Sequence, residues 1–255
     1  MSAKKPESSA APPLRVVDPA EGVTKVLVVI AHPDDVDFGA GGTVARLTDA
    51  GVEVVYCLVT DGDAGGSDRS TTADQRAEIR RAEQTAAAHV LGVSELHFLG
   101  HLDGSVTYSM GLRRDISRII RLVKPDRVIT QSPERNFDRI YASHPDHLAT
   151  GEAAMAAVYP DARNVFAFPE LLEAEGLEPH SVPELWLMAA ADANVAVETT
   201  DVIDRKIKAL GCHASQLGDG TDIGDRIIEW GRATAKSIGL TKKRTAEVFR
   251  VVDTR

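Results

Sequence analysis

Two short segments of the chain place histidines and aspartates on either side of a proline. The first is Ala31-His32-Pro33-Asp34-Asp35, and the second is Ser143-His144-Pro145-Asp146-His147. Imidazole nitrogens and carboxylate oxygens bind metal ions and also exchange protons. Two histidines and one carboxylate fill three positions around a metal and leave room for water, which is the pattern of catalytic rather than structural zinc. The same donors suit Fe(II), so residue types alone do not fix the metal.

The two segments hold more polar side chains than one metal ion needs, and the surplus indicates a hydrolytic reaction. Amide hydrolysis requires a group that takes a proton from water at the metal, and an aspartate beside a ligand supplies one. It also requires a partner for the oxyanion, which a further histidine supplies. The first segment alone is also explained as a polar turn in which Asp34 or Asp35 caps backbone amides, and a lone histidine in the second is more often a surface or core residue than a ligand. Two His-Pro-Asp segments in one chain favour the catalytic interpretation.

Both segments follow predicted strands: the first follows a continuous apolar run at residues 26–31, typical of a buried strand, and the second follows a strand at 127–130. Further strands are predicted at 52–60, 96–99, 165–167 and 184–190, an apolar stretch at 248–252, and helices at 43–50, 73–92, 111–123, 145–158, 202–215 and 222–238. This alternation predicts an α/β, Rossmann-like three-layer fold with a mainly parallel sheet. Ligands of such sheets bind at the C-terminal edge of the strands, where both segments fall.

The start of the chain differs in composition from the remainder. Residues 1–23 are rich in Ala, Pro, Ser and Lys and show no hydrophobic periodicity, so they are predicted to form a flexible N-terminal arm. Residues 24–255 contain neither an internal repeat nor a convincing linker. We therefore expect them to form a single domain.

Composition restricts the classes of protein to which the chain can belong. The 255 residues are 43% hydrophobic and 26% charged, with a net charge of −9, which disfavours nucleic acid as a partner. No apolar run is long enough for a membrane helix, and no signal peptide is evident. Cys57 and Cys212 form no CxxC pair, which fits a reducing compartment. The chain is predicted to be a cytoplasmic protein that binds neither nucleic acid nor membrane.

The AHPDD and HPDH segments resemble those of the PIG-L or LmbE-like family of zinc-dependent de-N-acetylases. Supporting matches extend over nearly all of the chain after the arm: Gly41-Gly42-Thr43, Thr60-Asp61-Gly62, Arg80-x-x-Glu83, Leu91-Gly92-Val93, His213-Ala214-Ser215-Gln216 and Ala246-Glu247-Val248-Phe249. One departure is visible. The family typically has Glu after the two aspartates, whereas here Val36 follows and Asp37 comes next.

The resemblance implies a role for each matching position. The implied zinc ligands are His32, Asp35 and His147. Asp34 would be the general base, and His144 the acid or the partner of the oxyanion. Arg80 and Asp103 would hold polar groups of the substrate. Whether Asp61, Arg139 or His213 also reaches the site is left open.

The implied reaction is hydrolytic removal of an N-acetyl group from an N-acetylglucosamine-type small molecule or conjugate. An alternative within the same chemistry is an amidase that cleaves a glucosaminyl thiol conjugate, similar to mycothiol-conjugate amidases. A third alternative is a receiver-type module that binds Mg²⁺ through the two adjacent aspartates. The resemblance also allows a homo-oligomer.

Overall fold

A computed structural model describes residues 14–217 and 222–255, which contain one sheet of eight strands. The strands are β1 (Arg15–Val16), β2 (Lys25–Ile30), β3 (Glu53–Thr60), β4 (Glu95–His101), β5 (Arg127–Gln131), β6 (Glu184–Met188), β7 (Val195–Glu198) and β8 (Ala246–Asp253). Their order across the sheet is β1-β7-β8-β6-β5-β2-β3-β4. β8 runs antiparallel to both of its neighbours, and the other pairs are parallel.

Helices connect most of the strands. They are α1 (Asp35–Gly39), α2 (Gly41–Asp49), α3 (Ala73–Val90), α4 (Met110–Val123), α5 (Pro145–Ala156), α6 (Pro169–Glu173), α7 (Ile203–Leu210), α8 (Ala214–Leu217) and α9 (Ile223–Ser237). A 3-10 turn at Ile140–Ser143 leads into α5, and a π-helical turn at Ala157–Asp161 follows it. Within the described parts of the chain, none of these helices is long and apolar enough to cross a membrane.

The central strands are buried on both faces because their alternate residues point into different cores. Val26, Val28 and Ile30 of β2 pack in one hydrophobic cluster, and Leu27 and Val29 pack in another. The first cluster includes residues of α2, α3 and α7, and the second includes residues of α4 and α5. Helices therefore cover both faces of the sheet, and the predicted three-layer, mainly parallel fold is confirmed.

The strand order brings the two histidine-rich segments together. β2 pairs with β3 on one side and with β5 on the other. After β2 the chain adds β3 and β4 on one side and then returns to form β5 on the opposite side. The crevice at such a reversal is where open α/β sheets bind ligands. The AHPDD segment leaves β2 and the HPDH segment follows β5, so both lie at this crevice.

The strand predicted at residues 165–167 is wrong. Asn164 forms a turn there: its side-chain oxygen accepts a hydrogen bond from the Phe166 amide at 3.0 Å, and its carbonyl accepts one from Ala167 at 3.0 Å. Phe166 is 86% exposed, so the apolar side chain that favoured a strand here is not packed in the core. The strand β7, in contrast, is not predicted by the sequence, because its four residues are too few to show alternation.

The predicted arm ends too late in the sequence. Arg15 and Val16 pair with Val195 and Ala196 of β7, and residues between them and β2 pack against the core. The arm's composition concealed this pairing, because two residues are enough to add a strand to an edge but too few to give a pattern. Residues 1–13 lie outside the described part of the chain.

Candidate active site

The turn after β2 is held from outside by α3. Asp34 has a left-handed backbone conformation, with φ of 90°. Its amide donates to the side-chain oxygen of Gln84 at 2.7 Å. Arg80, one helical turn earlier, donates to the Pro33 carbonyl and reaches Asp34 Oδ2 at 3.1 Å. Residues four apart lie on the same side of a helix, so Gln84 and Arg80 of α3 bind the backbone and the side chain of Asp34, respectively.

The second segment is shaped by the start of α5. Pro145 occupies its first position, where a missing amide proton has no cost. The Asp146 amide donates to His144 Nδ1 at 3.2 Å. Gly151 lets α5 approach β5, because a Cβ there would lie 2.3 Å from the Gln131 carbonyl oxygen. The close packing brings this histidine-bearing turn to the end of β2.

Three side chains converge on one point between the two segments. His147 Nε2 lies 3.0 Å from Asp35 Oδ1, and His32 Nδ1 lies 3.4 Å from Asp35 Oδ2 and 3.3 Å from His147 Nε2. The His144 ring is beside them, with its centroid 4.9 Å from that of His32. Two imidazole nitrogens and a carboxylate that converge in this way form a three-donor set suited to zinc or Fe(II).

The opposite nitrogen of His32 is bound by carboxylates. Its Nε2 lies 3.1 Å from Asp103 Oδ1 and 3.1 Å from Asp146 Oδ2. Asp146 is fully buried and also accepts hydrogen bonds from the amides of Gly104 at 2.7 Å and Val106 at 3.2 Å. Because carboxylates only accept, they place the proton of His32 on Nε2 and leave Nδ1 free to bind a metal.

The other donors are oriented in the same way. His147 Nδ1 donates to the Ala142 carbonyl at 3.4 Å, so its Nε2 faces the point of convergence. Gln131, the last residue of β5, donates to Asp35 Oδ2 at 2.7 Å and accepts from the Ala31 amide at 3.1 Å. The strand end therefore fixes the carboxylate as well as the exit of the chain from β2.

The charges around His32 favour a cation. Burial alone would lower its pKa, but hydrogen bonds to Asp103, Asp146 and Asp35 outweigh burial and raise the pKa of His32 to about 12. The three carboxylates thus stabilise a positive charge at this histidine. A divalent metal at the three-donor set would supply that charge instead, so the donor chemistry fits a metal ion.

The two adjacent aspartates experience different surroundings. Burial, together with the neighbouring charge of Asp35, raises the pKa of Asp34 to about 7. Burial also opposes ionisation of Asp35, but His147 and His32 hold its pKa well below the usual range. The pKa of His144 is lowered by burial and by the charge of His32. Divergent pKa values within one cluster are typical of sites in which one carboxylate binds and another transfers protons.

The two residues expected to hold substrate lie at the edge of this cluster. Asp103 contacts His32, as described above, and accepts the Ala64 amide at 3.3 Å. Arg80 is only 4% exposed, and the glycine-rich loop after β3 packs on its guanidinium: a Cβ at Gly65 would lie 2.3 Å from Nη1. Both therefore contact catalytic or metal-binding candidates directly, and their contact with substrate stays a prediction.

The three residues left open by the sequence have separate locations. Asp61 accepts hydrogen bonds from Nε and Nη2 of Arg81, at 2.7 and 2.5 Å, outside the cluster. His213 is fully buried, with Nε2 2.9 Å from Asp37 Oδ2. Arg139 lines a cleft that opens from the cluster. Of these three residues, Arg139 is the one that lines the cleft.

Buried bridges join distant motifs behind the site. Asp37 accepts from Gln84 at 3.0 Å, and the same amide group of Gln84 accepts the Asp34 amide. His213 is therefore linked through Asp37 and Gln84 to the turn that carries Asp34. Glu247 of β8 accepts the amides of Gly42 and Thr43 at 2.9 and 2.7 Å, at the start of α2. The carboxylate thereby caps unpaired amides at a helix N-terminus, where negative charge is favourable.

A cleft of about 680 Å³ extends from Asp35, Gln131 and His147 toward α9. It is also lined by Arg139 and Tyr141, which precede α5, by Met188 at the end of β6, and by residues of α9 that include Trp230. The volume falls in the range of small-molecule sites. The metal-binding candidates therefore have access to a substrate-sized space.

Sequence reasoning missed the residues that orient the site. Asp146, Gln131 and Gln84 have no role in the site predicted from the sequence. Asp146 carried a signal, because it stands between two histidines in the HPDH segment, and metal-ligand histidines usually donate to a carboxylate. The two glutamines carried none, since their partners are 96 and 50 residues distant in the chain.

Comparison with known proteins agrees with this geometry. The PIG-L family model, described as GlcNAc-PI de-N-acetylase, matches residues 27–158. A diacetylchitobiose deacetylase of Thermococcus kodakarensis is 34% identical over 203 residues, which cover 80% of this chain and 74% of the relative. A probable N-acetyl-alpha-D-glucosaminyl L-malate deacetylase 2 of Bacillus anthracis is 32% identical, covering 75% of this chain and 81% of the relative.

A solved structure has a similar fold and comparable sequence identity. It is an N,N'-diacetylchitobiose deacetylase of Pyrococcus horikoshii in complex with an inhibitor, with a TM-score of 0.84 and 32% identity. The similarity covers 93% of this chain and 86% of that structure. The receiver-module alternative is therefore set aside. In sequence, fold and convergence of its two histidine segments, the chain belongs to the PIG-L family and is an enzyme that hydrolyses an amide bond.

Proposed function

We propose that this protein is a zinc-dependent hydrolase that removes the acetyl group from an N-acetylglucosamine-type small molecule or conjugate. One observation carries the proposal: His32 Nδ1, Asp35 and His147 Nε2 converge within 3.0–3.4 Å of one another. These three residues would hold the metal. A bound zinc ion would acidify water and polarise the acyl carbonyl. Fe(II) suits the same donors and is the competing metal.

Asp34 is the proposed general base. It neighbours the ligand Asp35 in sequence, and Arg80 holds its Oδ2 at 3.1 Å, which limits the directions the carboxylate can take. A carboxylate fixed in this way takes the proton from water and returns it to the amine that leaves, so one residue serves both steps. Gln84 supports this role because it fixes the backbone of the same residue.

His144 is the proposed partner of the oxyanion. Its Nδ1 accepts the Asp146 amide, so the proton of the neutral ring is on Nε2. That N–H is available to donate to the negative oxygen that develops when the carbonyl is attacked. Arg80 and Asp103, at the edge of the same cluster, are proposed to hold hydroxyl groups of the sugar.

The identity of the substrate is supported by the relatives. Those named above are deacetylases of diacetylchitobiose and of an N-acetylglucosaminyl malate, so a glycoside of an N-acetylated glucosamine is the shared chemistry. The described site offers no serine or cysteine placed for covalent attack beside the metal ligands, which favours direct hydrolysis by water.

The test is release of acetate from N-acetylglucosaminyl compounds. Protein loaded with zinc should release acetate and form one primary amine for each acetate, and a chelator should abolish both. Parallel loading with Fe(II) in the absence of oxygen compares the two metals. Zinc-loaded protein that releases no acetate from any of these compounds, yet cleaves a glucosaminyl thiol-conjugate amide, would replace the proposal by the amidase alternative.

A further inference from the structure

Three fully buried polar side chains support the turn that carries the proposed base. They are Asp37 of α1, Gln84 of α3 and His213, which directly precedes α8. Asp37 Oδ2 accepts a hydrogen bond from Gln84 Nε2 at 3.0 Å and lies 2.9 Å from His213 Nε2. The side-chain oxygen of Gln84 accepts the Asp34 amide at 2.7 Å. We call Asp37, Gln84 and His213 the buried network.

The donors and acceptors of the buried network fix the orientation of the Gln84 side chain. A carboxylate only accepts hydrogen bonds, so Asp37 requires the NH₂ group of Gln84 to face it. The oxygen of the same amide therefore faces Asp34, whose backbone N–H only donates. If the amide were turned round, two acceptors would face each other at Asp37 and two donors at Asp34. Asp37 thus selects the one orientation in which Gln84 binds the backbone of the base.

His213 completes the network by holding the Asp37 carboxylate in place. Its Nε2 is the donor, because the carboxylate oxygen accepts, and both side chains are 0% exposed. Solvent does not reach either group to replace a lost partner, so removal of His213 would leave this oxygen with one donor fewer. The position of the carboxylate that orients Gln84 therefore depends on His213.

Asp34 needs this support because its backbone conformation is unfavourable. Its φ of 90° lies in the left-handed region, which residues other than glycine rarely adopt. Arg80 binds the side chain of Asp34 and the Pro33 carbonyl that precedes it. Gln84 is the side chain that binds the Asp34 amide. The conformation of Asp34 thus depends on Gln84 and, through Gln84, on the remainder of the buried network.

We propose that Asp37 and His213 are positioning residues of the amide hydrolysis: through Gln84 they hold the Asp34 backbone in the conformation in which its carboxylate is the general base. This inference rests on the proposed function, in which Asp34 takes the proton from water. The His213 and Asp37 side chains bind each other and Gln84 rather than the three proposed metal ligands. Their loss should therefore slow the reaction without emptying the metal site.

The first test is a set of kinetic variants at position 213. His213→Leu removes the donor and keeps an apolar side chain, and kcat on N-acetylglucosaminyl compounds should fall about tenfold, the factor that one buried hydrogen bond supplies. KM should stay within about twofold of the wild-type value, and bound metal should be unchanged. His213→Gln keeps an N–H donor and should recover most of kcat. A loss of metal or a rise in KM in place of the fall in kcat, or a His213→Gln variant no faster than His213→Leu, would overturn the proposal.

Glu184→Gln is the matched control for a general loss of stability. Glu184 accepts a hydrogen bond from the buried Arg127 at 2.9 Å. Both residues begin their strands, so they lie at the edge of the sheet opposite to the site. This variant should unfold more readily than wild type and keep its kcat. Equal losses of kcat in Glu184→Gln and His213→Leu would show that His213 contributes only to overall stability, against the proposal.

A double-mutant cycle tests whether His213 acts through Asp34. In Asp34→Asn the base is absent, so its position no longer affects the rate. Addition of His213→Leu should then lower kcat by less than about twofold further. If the two losses instead multiply, His213 acts by another route and the proposal is wrong.

Hydrogen exchange tests the buried network independently of the reaction. In zinc-loaded protein, the Asp34 amide should exchange about tenfold faster in His213→Leu and in Gln84→Met than in wild type, because its acceptor is displaced or lost. Exchange at the amides of β2 should change no more than in Glu184→Gln. This result is expected even if no acetate is released, in which case the proposed function fails and the network stands, and the kinetic variants are compared on the amide that the enzyme does cleave. An Asp34 amide that exchanges at the wild-type rate in both variants would overturn the inference.

Discussion

Replacement of Asp146 by asparagine should weaken metal binding although Asp146 is not one of the three proposed ligands. Its carboxylate lies 3.1 Å from His32 Nε2 and accepts two backbone amides, from Gly104 and Val106. Asparagine has one accepting oxygen in place of two. If that oxygen faces His32 and Gly104, the new NH₂ group faces the Val106 amide, donor against donor. The charge that orients His32 is lost in either orientation.

Two magnitudes follow from these contacts. Loss of a carboxylate behind a metal-ligand histidine typically lowers metal affinity by about 10–100-fold, or roughly 1.4–2.7 kcal/mol. The buried amide left without an acceptor costs a further 1–3 kcal/mol, roughly, in folding stability. The first effect requires metal, and the second persists in metal-free protein.

Chelator competition measures the zinc affinity, and urea unfolding of metal-free protein measures the free energy of unfolding. Asp103→Asn is the matched control. Its carboxylate is equally close to His32 Nε2, at 3.1 Å, but it accepts only the Ala64 amide, at 3.3 Å, among the described residues. We expect it to lower metal affinity with a smaller loss of stability. Wild-type zinc affinity in Asp146→Asn would refute the reasoning, as would a larger stability loss in Asp103→Asn.

The remaining predictions concern the base, the buried bridge and the contact beneath α5. Asp34→Asn should keep its metal and lose about a hundredfold or more in kcat, whereas Asp35→Ala should lose the metal itself; elemental analysis beside kinetics distinguishes the two, and an empty site in Asp34→Asn would reverse their roles. His213→Ala leaves the buried Asp37 side chain without its hydrogen-bond partner and should lower the free energy of unfolding by about 1–3 kcal/mol, with partial recovery on adding Asp37→Asn; no recovery would contradict this explanation. Gly151→Ala should cost about 1–3 kcal/mol and reduce kcat/KM, because its Cβ would press on β5 at 2.3 Å; a stability equal to wild type would show that α5 can move without consequence.

The sequence was informative where a local pattern reflects burial. The strand β2 carries a continuous apolar run because it is covered on both faces, and that pattern predicts its burial in the sheet. The strand β5, with only Val128 and Ile129 apolar, is predicted from the alternation of strands and helices. The two histidine segments follow these strands, so the crevice and its polar residues could be predicted together. The contacts between individual nitrogen and oxygen atoms of His32, Asp35 and His147 could not be predicted, because they depend on the order of the strands in the sheet.

The remaining features depend on contacts between residues far apart in the chain. Glu247 and Gly42, which meet at the start of α2, are 205 residues apart, and His213 and Asp37 are 176 apart. Nothing in the sequence around one of these residues indicates which distant residue it will contact. Single charged residues are usually solvated, so a buried contact is not expected for them. The edge strand Arg15–Val16 was missed for a related reason, because its register is supplied by β7 and not by its own sequence.

The left-handed backbone of Asp34 sets catalysis and stability against each other at one position. A residue other than glycine with φ of 90° costs about 1–3 kcal/mol, which Gln84 and Arg80 must offset. Glycine would adopt the same turn without that cost. Asp34→Gly would relieve this strain, but it would also leave the buried Arg80 guanidinium without the carboxylate that it contacts at 3.1 Å, and it would remove the proposed base. An engineering screen at this position must therefore measure stability and activity together.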